Sequence, residues 1–436
     1  MQTKPDDSAT GASPAQDAVL TLSEAEVHFQ LGSGALTRLI GLGGRTVKAV
    51  DGVSLTLRRG EVLGLVGESG SGKTTLGRAL LGLARTTGGE ITYASGTGSR
   101  SVSSMSAKQL RELRTDIQMV FQDPHAALNP SMNIETAVGD PLRIHGLAAG
   151  PARRARVVDV LEKVGLVPPE RYLSKYPADL SGGQKQRAVI ARAIILEPEV
   201  LVADEPVSML DMSVRAKILQ LMLDLKRDLG LTYVYITHDL ASAKFFCDRI
   251  AIMYLGRIVE VGDTEQIFAN PRHPYTQALL RAIPDPDPDR QIPRELPRGE
   301  IPDAARPPLG CSFHPRCPVA QAECGWESRD LRALLEEHWT RRDPETYDAE
   351  RAIVGSLDQL DTPSSTAHLG AGDPVAVRDL LERIRAENPD EPLWRGVSSV
   401  EDSGKGVEVT FHEPVDPPLR DADGVEVACV LYPSGT

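Results

Sequence analysis

The pattern of apolar and polar residues along the chain separates strands from helices. Residues 19–29 and 47–57 alternate with a period of two, which is typical of strands with one buried face. Nearly continuous apolar runs at 61–66, 200–203 and 231–237 predict strands that are buried on both faces. Helical patterns separate or follow these runs. The sequence therefore predicts an α/β fold with a mostly parallel sheet, helices on both faces of that sheet, and an antiparallel β-layer formed by the N-terminal strands.

Helical spacing of apolar residues covers most of the chain between the buried strands. It is present at 183–196, 212–229 and 239–246, each next to a predicted strand. The long stretch that begins at residue 106 is also mostly helical. We therefore expect an inserted helical subdomain over about 106–190.

The pattern changes after residue 283, where ten prolines lie between Pro284 and Pro318. Such a density of proline is incompatible with regular helices or strands. Beyond it, short helical patterns at 329–337 and 375–386 precede strand-like runs at 407–411 and 425–431. The sequence thus predicts three parts, a disordered tail (1–18), a main domain (19–283) and a Pro-rich, Cys-containing acidic C-terminal extension (284–436).

Composition excludes several classes of protein. The net charge is −13, and residues 351–436 alone hold 16 Asp and Glu against 7 Lys and Arg. This acidic balance argues against a protein that binds nucleic acid through a basic surface. No run of eighteen apolar residues is present, so we expect no membrane-spanning helix. Five cysteines in 436 residues do not form a disulfide scaffold, which favours the reducing cytosol.

The segment Gly67–Thr74 has the sequence GESGSGKT, with the spacing GxxxxGK[ST] between a buried strand and a helix. Glycines allow consecutive backbone N–H groups to turn toward phosphate oxygens, and the start of the helix adds its positive end. Lys73 can reach the terminal phosphates, and the Thr74 hydroxyl can ligate Mg²⁺. The predicted ATP ligands here are Gly67, Glu68, Ser69, Gly70, Ser71, Gly72, Lys73, Thr74 and Thr75.

Two further segments fit the same chemistry. Asp204 and Glu205 end the apolar strand at 200–203, where Asp204 can hold Mg²⁺ and Glu205 can polarise the attacking water. The segment LSGGQ at 180–184 places Ser181 before a helix and forms a second anion-binding helix start. One ATP does not require two such cradles on one chain. The second cradle therefore predicts contact with an ATP held by another subunit.

Together these motifs resemble the ATPases of ABC transporters over residues 19–283. The resemblance implies a P-loop NTPase with a RecA-like core and ATP and Mg²⁺ as its ligands. It assigns catalytic roles to Glu205, His238, Lys73 and Gln122, and the magnesium site to Thr74, Gln122 and Asp204. A second ATPase subunit, identical or related, would close on the first and offer its Ser181, Gly182, Gly183, Gln184 and Asp211 to the bound ATP. The resemblance also implies an aromatic residue that stacks on adenine; Phe29 is the candidate, and a buried position in its strand is the alternative for this residue.

Three strings narrow the resemblance to the oligopeptide and dipeptide importer ATPases: FQDPHAALNP at 121–130, MYLGRIVE at 253–260 and HPYT at 273–276. The resemblance implies two permease subunits in the membrane, an extracytoplasmic solute-binding protein, and a location on the cytoplasmic face. Nickel or an oligosaccharide is an alternative cargo. A soluble ABC ATPase of DNA repair or translation and a regulatory subunit that binds ATP without cleaving it are alternative functions.

The extension carries Cys311, Cys317 and Cys324, and Cys429 follows after a long insertion. Clustered thiols in a cytosolic protein are typical of metal sites, although this spacing matches neither a zinc ribbon nor a ferredoxin. The resemblance implies a [4Fe–4S] cluster on these four cysteines, and inert cysteines in the core or in loops are the alternative. Cys247 is expected to be a core residue.

Overall fold

The computed structural model describes residues 17–31, 45–96, 98–283, 299–370, 372–404 and 406–433. Nearly all of the predicted disordered tail (1–18) and much of the Pro-rich segment lie outside these residues. The described residues divide into two compact units, one formed mainly by the chain up to Phe29 and by Lys48–Arg257, the other mainly by the chain from Ile258 onward.

The first unit contains nine strands and nine helices among its described residues. Its strands are β1 (Ala18–Leu31), β2 (Arg45–Arg58), β3 (Val62–Val66), β4 (Gly88–Ser95), β5 (Gly98–Ser101), β6 (Ile117–Val120), β7 (Val200–Asp204), β8 (Thr232–Thr237) and β9 (Arg249–Tyr254). Its helices are α1 (Lys73–Leu80), α2 (Ala107–Asp116), α3 (Pro124–Ala127), α4 (Ile134–Ile144), α5 (Gly150–Lys163), α6 (Glu170–Leu173), α7 (Gly182–Ile194), α8 (Met212–Leu229) and α9 (Leu240–Phe246).

A parallel sheet with the strand order β9-β3-β8-β7-β6 forms the centre of the first unit. Every residue of β3, β7 and β8 is buried, as their continuous apolar runs predict. The carboxyl ends of these neighbouring strands lie at one edge of the sheet, and the loops that follow them carry the candidate site. The predicted α/β fold is confirmed.

A separate four-stranded sheet with the order β2-β1-β4-β5 forms the N-terminal layer. Strands β1 and β4 pair antiparallel, as do β4 and β5, so the expected antiparallel layer is present. The sequence patterns predicted β1 and β2 and missed β4 and β5. Their residues are largely half-exposed and rich in Gly and Ser, which leaves no strong period of two.

One strand lies within the segment for which the sequence predicts a mostly helical subdomain, residues 106–190. Ile117–Val120 is β6, which pairs in parallel with β7. A four-residue apolar run between two helices is too short to distinguish a strand from a buried helical turn by periodicity. Helices α4, α5, α6 and α7 fill the remainder of this segment and pack on one another.

The second unit combines a three-stranded antiparallel sheet, three further antiparallel strands and helices. Its strands are β10 (Arg257–Asp263), β11 (Thr366–Leu369), β12 (Val397–Ser403), β13 (Gly406–Phe411), β14 (Arg420–Ala422) and β15 (Val425–Val427). Its helices are α10 (Thr264–Ala269), α11 (Pro274–Arg281), α12 (Ser328–Trp339), α13 (Pro344–Val354), α14 (Pro374–Glu387) and α15 (Leu393–Gly396).

Within this unit one sheet has the order β11-β13-β12 and packs against α14. Among the other three strands, β15 lies between β10 and β14, and both pairings are antiparallel. The patterns predicted α12, α14 and β13. The last strand, β15, is shorter than its apolar run, although the Ala428 backbone N–H still donates to the Val259 carbonyl oxygen at 2.9 Å.

Candidate functional site

The loop between β3 and α1 brings its backbone against neighbouring strands. A Cβ atom on Gly72 would lie 1.9 Å from the carbonyl oxygen of Ala49, and one on Gly67 would lie 2.1 Å from that of Met253. Gly72 also adopts φ 101°, a conformation that side chains disfavour. The motif spacing thus corresponds to positions where only glycine fits, immediately before the first turn of α1.

Lys73 opens α1 and turns its side chain back into the preceding loop. Its Nζ donates to the carbonyl oxygens of Gly67 and Glu68, each at 2.8 Å, and to Ser71 Oγ at 3.2 Å. Burial lowers the pKa of the Lys73 ammonium, while the carboxylates of Glu205, Asp204 and Glu68 act in the opposite direction. The ammonium therefore lies inside the loop that it would use to hold a phosphate.

Thr74 and Asp204 join α1 to the end of β7. The Thr74 hydroxyl donates to Asp204 Oδ1 at 3.0 Å. Burial raises the pKa of Asp204, and this hydrogen bond from Thr74 lowers it. A hydroxyl and a carboxylate in contact provide oxygen donors of the kind that Mg²⁺ prefers, so Thr74 and Asp204 would suit a site for this ion.

Glu205 lies between two side chains from other loops. Gln122 Nε2 donates to Glu205 Oε2 at 2.9 Å, and His238 Nδ1 lies 2.9 Å from Glu205 Oε1. Because a carboxylate only accepts, this contact requires the His238 tautomer that carries its proton on Nδ1, or the doubly protonated ring. Glu205 has φ 45°, so its backbone occupies the left-handed region.

Ser181, Gln184 and Asp211 use their side chains at the starts of helices. Ser181 Oγ accepts from the Gln184 backbone at 3.4 Å, and Gln184 Oε1 accepts from the Ser181 backbone at 3.0 Å. Asp211 Oδ1 accepts from the Val214 backbone at 3.0 Å. This hydrogen bond lowers the pKa of Asp211, and the bond from the Ser213 hydroxyl lowers it further by a smaller amount. Gly182 and Gly183 form the first turn of α7. The sequence expectation that these residues reach ATP across a subunit interface remains a prediction.

Sequence reasoning missed a contact beside His238. Arg215 donates through NH2 to the carbonyl oxygen of Leu210 at 3.4 Å, and its NH1 lies 3.3 Å from Asp239 Oδ2. A basic residue in the first turns of α8 is the one sequence feature that could have pointed to it, since the helix dipole disfavours a cation there.

The four cysteines of the second unit line one small cavity. Cys311, Cys317, Cys324 and Cys429 surround it together with the buried His273. Burial raises the pKa of all four thiols, that of Cys317 to about 12. Nevertheless, the described residues contain no group of three or more His, Cys, Asp or Glu side chains placed to hold a metal ion. The thiols as they lie do not form a cluster site, so the iron–sulfur expectation is unsupported.

Cys247 does not line this cavity. It belongs to the first unit and is buried in the core, as expected. Phe29, the candidate for stacking on adenine, lies near the end of β1 with 47% of its surface exposed. Within the described residues, no helix combines the length and the apolarity needed to cross a membrane.

Comparison with known families identifies two regions. The profile of the ABC transporter family matches residues 50–208, and that of the oligopeptide/dipeptide transporter C-terminal region matches residues 259–324. The first match contains the loop, Gln122, Ser181 and both strand-end carboxylates. The second ends at Cys324, so most of the acidic extension lies beyond it.

Individual proteins resemble the chain over the same span. A putative peptide import ATP-binding protein of Brucella ovis is 46% identical over 294 residues, which cover 67% of this chain and 91% of the relative. The oligopeptide transport ATP-binding protein OppF of Salmonella typhimurium is 45% identical, covering 70% of this chain and 90% of OppF. A dimeric bacterial ABC transporter cassette of known structure is 29% identical with a TM-score of 0.48, covering 56% of this chain and 98% of the cassette.

Proposed function

This chain belongs to the ATP-binding proteins of peptide-import ABC transporters, and from this premise we propose that it hydrolyses ATP to drive the uptake of peptides through partner permeases. The observation that carries the proposal is the position of the Glu205 carboxylate, held by Gln122 and His238 beyond the end of β7. A carboxylate aligned by two neighbours beside a phosphate-binding loop is suited to orienting a water molecule for attack on a phosphate.

The residues of the loop supply the binding half of the mechanism. When ATP enters, Lys73 Nζ exchanges its contacts with Gly67, Glu68 and Ser71 for oxygens of the terminal phosphates. Backbone N–H groups from Gly67 to Thr75 surround the phosphate chain. Thr74, Asp204 and Gln122 would hold Mg²⁺, which supplies charge neutralisation of the phosphates.

The strand-end residues supply the catalytic half. Glu205 orients the water and accepts its proton, while His238 donates a hydrogen bond toward the γ-phosphate and so stabilises the charge that develops there. Gln122 donates to Glu205 in this structure and would instead contact Mg²⁺ when the ion is bound. The Glu205 carboxylate would then be available to accept from water.

A second ATPase subunit completes each site in this proposal. Residues 181–184 and Asp211 of one subunit would approach ATP held by the other, and the exposed position of Ser181 and Asp211 supports this arrangement. Two permease subunits, an extracytoplasmic solute-binding protein and a place on the cytoplasmic face of the membrane complete the proposed importer. The groove that follows Gln122, lined by residues from His125 to Met132, is a surface suited to a permease segment.

The cargo is proposed as di- or oligopeptides on the strength of the relatives' names and of the matched C-terminal region. Nickel or an oligosaccharide would use the same ATPase, since this subunit does not contact cargo. Peptide-stimulated ATPase activity of the reconstituted transporter with its solute-binding protein supports peptides. If nickel complexes or oligosaccharides stimulated the ATPase activity and peptides did not, the cargo would be that solute instead of peptides.

The first prediction concerns Glu205. We expect Glu205→Gln to lower ATP turnover by at least about a hundredfold while ATP affinity is retained, because an amide accepts no proton from water. Turnover is measured by phosphate release and affinity by equilibrium binding of a fluorescent ATP analogue. The matched control is Glu162→Gln, an exposed position on α5. Unchanged hydrolysis in the Glu205 variant would remove that residue's assigned role.

A further inference from the structure

Arg215 connects two loops that flank the proposed catalytic carboxylate. Its guanidinium donates to the backbone oxygen of Leu210, in the loop before α8, and pairs with the carboxylate of Asp239, in the loop after β8. The two partners are 29 residues apart in the chain. Only the fold brings them to one side chain.

The position of Arg215 is unfavourable for the helix on which it lies. Asp211 is the N-cap of α8, so Arg215 falls about one turn from the positive end of the helix dipole. Its buried Nε finds no hydrogen-bond partner among the described residues. A cation that is disfavoured by its own helix, and only partly satisfied, indicates a role in the contacts that it does make.

Asp239 transmits this contact to His238 through adjacent backbone. One carboxylate oxygen of Asp239 accepts from the Ala241 backbone at 3.0 Å and fixes the start of α9, while the other faces Arg215. The Asp239 backbone N–H donates to Thr237 Oγ1 at 3.0 Å. His238 lies between these two anchored residues, and its ring contacts Glu205.

The loop at the other end of the contact is also tied to Glu205. Ser208 Oγ donates to the Glu205 carbonyl oxygen at 3.0 Å, and the Leu210 backbone N–H donates to the Val207 carbonyl oxygen at 3.2 Å. Residues 208–211 therefore form a short loop that is hydrogen-bonded to Glu205 and leads into α8. Arg215 connects this loop to Asp239, the residue that follows His238.

We propose that Arg215 is a positioning residue that couples the 208–211 loop to His238, so that displacement of this loop by a second subunit adjusts the Glu205–His238 pair. The proposal rests on the proposed function, because it gives the same two residues a regulated geometry. Arg215 contacts neither nucleotide nor water in this role. Its effect is exerted on turnover rather than on ATP binding.

The test compares full-length Arg215→Ala and Arg215→Lys with the wild type. We expect Arg215→Ala to lower kcat about tenfold and to reduce the Hill coefficient for ATP, with KM within about twofold, because misplacement of a catalytic group slows the reaction step. Arg215→Lys retains the charge and recovers part of kcat. The control is Arg227→Ala, an exposed arginine on the same helix, which should leave all three quantities unchanged.

A second variant keeps the test valid if Arg215→Ala lowers stability. Asp239→Asn retains an oxygen for the helix cap and loses the charge that faces Arg215. Together with Arg215→Ala it should lower kcat no further than the larger single change, since both remove one interaction. Additive losses, or a kcat and Hill coefficient within about twofold of wild type, would overturn the proposal. The proposal would also be overturned if kcat fell in step with the melting temperature and Arg215→Lys recovered no more activity than Arg215→Ala.

The outcome is separable from that of the proposed function. If Glu205→Gln abolishes turnover and Arg215→Ala does not change it, only the coupling is wrong. If Glu205→Gln retains turnover, the catalytic assignment itself fails, whatever the Arg215 variants show.

Discussion

Among single residues, the glycines of the phosphate loop show most directly why the sequence pattern has chemical meaning. Gly70 and Gly72 both have positive φ, at 81° and 101°, but their surroundings differ. A Cβ on Gly70 would meet nothing within 4 Å, whereas one on Gly72 would overlap Ala49 and also approach the Met253 side chain. The same motif thus contains one glycine required by conformation and one required by both conformation and space.

This contrast gives a residue-scale prediction. We expect Gly70→Ala to cost about 1–2 kcal/mol of stability from backbone conformation alone and to leave ATP binding measurable. We expect Gly72→Ala to abolish binding, because the loop must move away from Ala49 to admit the methyl group. Equilibrium binding of an ATP analogue and thermal unfolding measure both effects. Equal ATP affinities of the two variants would contradict this account of Gly72.

The residue-scale predictions from the sequence divide by how local their evidence is. The loop, Thr74 and the Asp204–Glu205 pair were identifiable because each lies within a few residues of a strand with a clear pattern. Gln122 and His238 were assigned catalytic roles only through family resemblance. Their contacts with Glu205 were not predicted, because they join loops far apart in the chain. Arg215 had no such precedent, and its partner is visible only in the folded chain.

Helix caps are the feature that matters at the scale of elements. Helices α2 and α7 begin in the same way, with Ser106 and Gln109 in one and Ser181 and Gln184 in the other. In each, the serine Oγ accepts from the backbone of the third residue at 3.4 Å, and the glutamine side chain returns to the serine backbone. The two caps are therefore a natural matched pair.

The pair separates capping from ligand binding at Ser181. Both Ser106→Ala and Ser181→Ala should lose about 1 kcal/mol of stability with the cap. Only Ser181→Ala should also lower ATP turnover, because the proposed second role belongs to that serine alone. Chemical denaturation and phosphate release measure the two effects. A Ser181 variant that behaves as the Ser106 variant does would leave Ser181 with a structural role only.

The sequence predicted helices and strands correctly where burial alone set the pattern of apolar residues. Buried strands such as β3 and β8 have no polar face to vary, and α8 repeats its apolar residues over eighteen positions. Strands β4, β6 and β12 were missed because they are short or half-exposed, and their pairing with neighbours outweighs local preference. The partner of β6 is β7, which is distant in sequence, so no local pattern could reveal that pairing. Strands β4 and β12 each pair with the strand that follows them in the chain, but their largely exposed or half-exposed residues leave no clear period of two.

At the scale of the whole molecule, the acidic extension is a property of the second unit. The last 86 residues contribute −9 of the net charge of −13, and the matched transporter region ends before them. Strands β11, β12 and β13 and helices α12–α15 follow Cys324, beyond both matched regions. The net charge is therefore concentrated in this part of the chain rather than at the proposed site of ATP hydrolysis.

The part of the chain that follows Cys324 also gives a prediction about stability and pH. Burial raises the pKa of Glu327 from its ordinary 4.5 to about 6, against the attraction of Arg329. The fold therefore favours the protonated carboxyl, so ionisation of Glu327 lowers the free energy of unfolding. This loss is absent below pH 4.5, grows as the pH rises to 6, and is complete above pH 6. The full cost is about 2 kcal/mol. Glu327→Gln should remove it.

The three tryptophans, Trp326, Trp339 and Trp394, all lie in the second unit, so their fluorescence reports its unfolding selectively. In urea titrations, the stability gain of Glu327→Gln over wild type should grow between pH 4.5 and pH 6 and remain constant above. The surface variant Glu337→Gln serves as the control and should show no such window. A gain independent of pH would show that Glu327 does not titrate in this range.

The pairing of β15 with β10 has a consequence for the order in which the chain is made. Strand β10 and the segment of Cys311 to Cys324 leave the ribosome long before Val425–Val427, and α12–α15 must emerge in between. During that interval β10 lacks this partner, and a strand with unpaired N–H and C=O groups invites association with other chains. A chain that stops before Val425 would contain every residue of the first unit but would lack the β15 partner of β10. The β10–β15 pair is therefore among the last contacts that a growing chain can form.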